Sequence, residues 1–76
     1  ENTLIIRHRD APGAIAQATS LLALAGVNIA TMRVFRREAG GNAIMALELD
    51  ALPDRETAGA LHHLRGVTGV TLLEKR

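Results

Sequence analysis

Cysteine, tryptophan and tyrosine are all missing from this chain, and Phe35 is its only phenylalanine. Without cysteine there is no disulfide framework, no thiolate metal site and no cysteine nucleophile. With aromatics at 1%, the core must be built from Ala, Leu, Ile and Val, and the chain has no set of rings on which bases could stack. An excess of one charge is also missing. Nine basic and eight acidic residues leave +1, which exerts no whole-domain pull on nucleic acid. No window approaches the roughly 18 apolar residues of a membrane span. The opening "ENTLIIRH" enters an apolar strand directly, with neither a signal-peptide pattern nor an initiator methionine. These features lead us to expect a cytoplasmic protein, with residues 1–76 a single domain of a longer polypeptide.

What is present is patterning. A chain of 76 residues buries only about 60–65% of its extended surface, so its core is thin and a dimer interface would support it. "TLIIRH" (3–8) is β-branched and reads as a strand. Pro12 suits a first helical position, and "GAIAQATSLLALAG" follows with Ile15, Ala18, Leu22 and Ala25 on one stripe, Leu21 beside it, and Gly26 where a left-handed cap is wanted. "VNIATMRVFRR" (27–37) is a strand, with Asn28, Ala30, Met32 and Val34 alternating against Ile29, Thr31, Arg33 and Phe35. "EAGGN" reads as a hairpin turn whose two glycines supply positive φ. The next strand, "AIMALELD", puts Met45, Leu47 and Leu49 on one face. "LPDRETAGALHHLRG" is a second helix with Ala58, Leu61 and Leu64 inward, and "VTGVTLLEK" closes as a strand. The order βαββαβ predicts an α+β ferredoxin-like sandwich: a four-stranded antiparallel sheet with both helices on one face.

The junction "HRDAPG" (8–13) is the first candidate site. Amides at Gly13 and Ala14 would point out of a helix N-terminus that attracts a carboxylate, and Gly13 lets a ligand approach the backbone. His8 and Asp10, two apart, would hold an ammonium or a hydroxyl. The same residues also read as an ordinary helix start, with Asp10 capping, Pro12 first and His8 ending a strand. Asn28 would contact a polar ligand through its amide, or simply mark a loop entering a strand. His62 and His63 are adjacent, about 100° apart on a helix, which is not a metal-pair spacing. Arg7, Arg9, Arg33, Arg36 and Arg37 read as a solvated basic face, and Met32 and Met45 as core filler. No nucleophile with a base and an acid, no paired catalytic carboxylates and no phosphate loop are present, so catalysis is not expected of this segment.

"HRDAPGAIA", "AGVNIATMRV", "GGNAIMALELD" and "RGVTGVTLLE" together resemble an ACT domain over nearly the whole length. ACT domains are small regulatory modules that bind amino acids, usually between copies. Among them the chain resembles most the C-terminal domain of iron–sulfur L-serine dehydratases, on "NIATMRVFRREAGGNAIMALELD". It is also similar to the regulatory domain of D-3-phosphoglycerate dehydrogenases, at the first loop and "GVNIA". The resemblance implies L-serine bound at the interface of a homodimer paired sheet to sheet. His8, Asp10, Ala11, Gly13 and Ala14 would come from one copy's first loop, with Asn28 and Ile29 from the other. Asp10 departs from the asparagine usual in the dehydrogenase relatives and adds a negative charge, which suits an ammonium and repels a misplaced carboxylate. A dehydratase parent would convert L-serine to pyruvate and ammonia and carry its [4Fe-4S] cluster in another domain, leaving no cofactor here. Two alternatives stand beside this: a structural dimerisation module with a vestigial pocket, and a serine-feedback domain of D-3-phosphoglycerate dehydrogenase.

Overall fold

The fold is that of a computed structural model, which describes residues 2–74. The elements run β1 (Asn2–Arg9), α1 (Ala14–Leu24), β2 (Ile29–Arg36), β3 (Asn42–Leu49), α2 (Arg55–His62) and β4 (Val67–Glu74). The strands form one antiparallel sheet in the order β2-β3-β1-β4. This is the βαββαβ sandwich expected from the sequence. β1 and β3 are central, while β2 and β4 are edges.

One sheet face carries the core. Leu4 and Ile6 of β1 and Met45, Leu47 and Leu49 of β3 pack against Ala18 and Leu22 of α1 and Leu61 of α2, all at 0–1% exposure. Burying each such side chain stabilises the fold by about 1.5–3 kcal/mol. Strand alternation drives this: every second residue of β1 and β3 is apolar and points at the helices. α1 ends in a Schellman motif, Val27 N–H donating to Leu22 O at 2.9 Å and Gly26 N–H to Ala23 O at 3.0 Å. Gly26 takes the left-handed conformation this requires, φ +77°.

Four details depart from the sequence reading. Pro12 lies outside α1, whose N-cap is Gly13 at φ +86° with no side-chain cap, so Asp10 does not cap this helix. Ile15 and Ala25 of the expected stripe are exposed, because a thin two-layer sandwich covers only the middle of α1. In the "EAGGN" turn Gly40 alone has positive φ, since one left-handed residue suffices to reverse the chain. Finally, the simple alternation over 27–37 breaks at Ala30, where the β2–β3 register shifts. That bulge puts Ile29 on the core side together with Met32 and Val34, because β2 gains one residue over its partner.

Candidate functional site

The first loop is built where β1 leaves the centre of the sheet. His8 pairs across β1–β3 with Ala43 and continues the Leu4–Ile6 face, so its ring is buried at 3% exposure. Its Nδ1 lies 2.9 Å from the Arg9 carbonyl oxygen. A carbonyl only accepts, so Nδ1 donates, and in the neutral imidazole Nε2 is then a bare lone pair. Nε2 is buried and has no hydrogen-bond partner among the described residues. An unmet buried acceptor of this kind costs about 1–3 kcal/mol, which an arriving donor recovers.

Asp10 faces a different neighbour from the one the sequence suggests. Arg36 Nη1 donates to its Oδ2 at 2.6 Å, and the Gly40 N–H donates to the same oxygen at 3.1 Å. The Arg36 hydrogen bond, then that from Gly40, holds the Asp10 carboxyl below its ordinary range. Asp10 therefore ties the first loop to the β2–β3 hairpin, and both bonds fall on Oδ2. The Ala14 N–H turns back to Ala11 O at 3.2 Å, so of the two amides expected to face a ligand this one closes a turn. A cavity of about 440 Å³ opens beside the helix start, with Ala11, Ala14, Gln17 and Arg65 on its wall.

Asn28 and Ile29 lie at the far end of the sheet. Asn28 Nδ2 donates to Asp50 Oδ2 at 2.8 Å. Ile29 pairs with Leu49, and Leu49 with Asn2, whereas His8 pairs with Ala43, and Ala43 with Arg36. Six residues of strand separate the two ends, about 20 Å. His8, Asp10, Ala11, Gly13 and Ala14 share the first loop, but His8 lines a trough on the sheet while Ala11 and Ala14 line the cavity at the helix start, and Asn28 and Ile29 lie apart from both.

Three contributors were missed by the sequence reading: Arg36, Gly40 and Asp50. Arg36 had a signal, because β2 and β3 share a hairpin and Arg36 ends the strand beside the loop. Asp50 had none, since nothing local pairs it with a residue 22 positions away. His62 and His63 are exposed, and His63 Nδ1 sits 2.8 Å from Gly59 O at the end of α2.

The same edge strand that separates the two ends is incompletely covered. Met32 and Val34, on the core side of β2, keep 43% and 38% exposure. Every residue of β2 after Ile29 is exposed, and its outer backbone groups face no further strand among the described residues. An apolar edge of this kind is a template for a further strand.

Comparison with known proteins adds an independent line. The ACT-domain pattern matches residues 2–66. D-3-phosphoglycerate dehydrogenase of Synechocystis is 47% identical over 68 residues, 88% of this chain and 12% of that protein. The enzyme of the same name from Methanocaldococcus jannaschii is 35% identical over 69 residues, 91% of this chain and 13% of that protein. The chain thus spans about an eighth of the length of these relatives. The crystal structure of the ACT domain from a Chlorobium tepidum GTP pyrophosphokinase matches with TM-score 0.73 at 20% identity, covering 95% of each chain, a likeness of fold.

Proposed function

The chain belongs to the ACT-domain family, and from that premise we propose that it is a regulatory module binding L-serine between two copies joined edge to edge through β2. The observation that carries this reading is the buried, unpartnered Nε2 of His8 at the end of β1. A bare imidazole lone pair calls for a donor, and L-serine offers an ammonium and a hydroxyl. Arg36 and Gly40 both bond Asp10 Oδ2, which leaves Oδ1 for the ammonium, and the α1 N-terminus suits the carboxylate.

Geometry supports the second copy. Antiparallel pairing of two β2 strands about their midpoint brings the Ile29 end of one copy to the Arg36 end of the other. The partner's Asn28 then arrives beside the Asp10–Arg36 pair, closing the 20 Å gap that one chain leaves. The Asp10–Arg36 bond also answers the charge of Asp10, so the carboxylate that replaces asparagine does not repel a ligand as a free one would.

The relatives' shared name favours a D-3-phosphoglycerate dehydrogenase parent, with serine acting as a feedback ligand, over the serine dehydratase that the sequence resembles in its middle. Nothing among the relatives supports a lyase or an iron–sulfur partner domain. Reading the coding sequence upstream separates the two parents, by cysteine ligands in one case and a Gly-x-Gly-x-x-Gly after a strand in the other.

Calorimetric titration with L-serine, against glycine and D-serine, tests the reading at a concentration where the dimer is formed. Stereospecific saturation is expected. A folded dimer that takes up no amino acid would leave a purely structural dimerisation module.

A further inference from the structure

The sheet face turned away from the helices carries its charge unevenly. Arg7, Arg9 and Arg33 stand on it within the strands, and Arg37 follows at the end of β2. Against them the strands set one carboxylate, Glu48, whose Oε1 accepts from the Thr31 hydroxyl at 3.1 Å. The chain as a whole is only +1, so the excess is local. Among the described residues the one ion pair is Arg36–Asp10, which leaves Arg7 and Arg37 without a carboxylate.

Arg7 is also held in place. Its Nη2 donates to the Thr71 hydroxyl at 3.0 Å. It lies flat across Gly69 in the middle of β4, where an added Cβ would stand 3.0 Å from Arg7 Nε. Glycine inside a strand weakens it and marks a close approach. Here the approach is that of a guanidinium laid against the sheet. Beside it is a trough of about 740 Å³, walled by Phe35 and Ile44 and rimmed by Arg7, Arg37, Asn42 and Thr68, with His8 and Arg36 at the end nearer the first loop. Phe35 and Ile44 are 54% and 41% exposed.

We propose that this trough is a second binding site, for a small organic anion: a carboxylate or phosphate carried on a flat apolar body. Every charged group on its rim is a cation, and a fixed guanidinium offers paired N–H groups to two oxygens of one anion. Phe35 and Ile44 supply the apolar wall, and the volume is that of a small-molecule site. Arg7 and His8 leave β1 on opposite faces, and His8 and Arg36 also line the trough, so it adjoins the proposed L-serine site and is distinguished from it by Arg7, Arg37, Phe35 and Ile44.

The test is a nuclear magnetic resonance titration of the isotope-labelled chain with phenyl phosphate, benzoate, inorganic phosphate and oligoglutamate. Saturable shifts at Arg7, Phe35, Ile44 and Thr68 are expected with an aryl anion, whichever of the two binds tighter naming the oxyanion. Inorganic phosphate should bind roughly tenfold more weakly than phenyl phosphate, for want of the apolar body. Arg7→Gln should weaken the aryl anion roughly tenfold or more. So should Gly69→Ala, which keeps every rim group but displaces the guanidinium. Circular dichroism and an unchanged L-serine response show in each variant that the fold and the other site persist. No saturable response to either aryl anion, equal affinity for inorganic phosphate, undiminished binding in Gly69→Ala, or a response to oligoglutamate alone overturns the proposal.

Discussion

Edge pairing through β2 makes a quantitative demand on Met32 and Val34. These side chains keep 43% and 38% exposure on the core side of the sheet, where the helices do not reach. Completing their burial in a two-fold pair contributes about 0.8 kcal/mol per side chain, roughly 3 kcal/mol for the four. The double variant Met32→Lys/Val34→Lys removes that contribution and sets four ammonium groups along the seam. The dimer dissociation constant should rise roughly a hundredfold from the apolar loss alone, and repulsion adds to it. The monomer should be spared, because lysine stems lie along the strand with their charges in water. Sedimentation equilibrium reads the association, and circular dichroism checks the fold. Ile44→Lys is the control: it is 41% exposed on the opposite face and should leave the dimer intact. L-serine binding should fall together with association. An undiminished dimer, or a monomeric variant that binds L-serine as tightly as before, would refute the edge-paired site.

Removing the His8 ring should weaken L-serine by about 1–3 kcal/mol in His8→Ala, measured by calorimetry, because the buried Nε2 that lacks a partner among the described residues is gone. Asn28→Ala should weaken L-serine while leaving dimer formation intact, since its intramolecular bond is to the exposed Asp50. Gly13→Ala, at φ +86°, should cost about 1–2 kcal/mol in thermal unfolding, the strain of a side chain in the left-handed region. The carboxyls of Asp10 and Asp54 are both held below the ordinary value of 3.8, by Arg36 and Gly40 and by Thr57 respectively. Depressed values mean their stabilisation is complete above the ordinary carboxylate range and is lost as pH falls through the lowered one. Gly40 amide protection should therefore decline below about pH 4 in the native chain, and Asp10→Ala should abolish that acid-dependent step.

Much of the fold is local physics that a single chain displays. Alternation in "AIMALELD" put Met45, Leu47 and Leu49 on one face, the Gly26 stop is visible as a glycine after an apolar stripe, and the order βαββαβ follows from period changes along the chain. What alternation misses is any change of register. The Ala30 bulge moves Ile29 to the core side without altering one residue type, because a bulge is decided by the partner strand.

The site divides in the same way. "HRDAPG" marked a strand end, a helix start and polar groups at one junction, and resemblance supplied the ligand. His8 as a buried ring with an unmet nitrogen was not legible, since burial depends on which helices cover β1. Nor was the Asp10–Arg36 pair, 26 positions apart, or the approach of Arg7 over Gly69, 62 apart. Residue types and their spacing determined the elements of this chain, its apolar faces and its chemical repertoire, because those follow from backbone geometry and water. Which polar groups meet, which stay unpaired and which edge is left bare were decided by tertiary structure alone, because strands that pair in space bring together groups the sequence holds far apart.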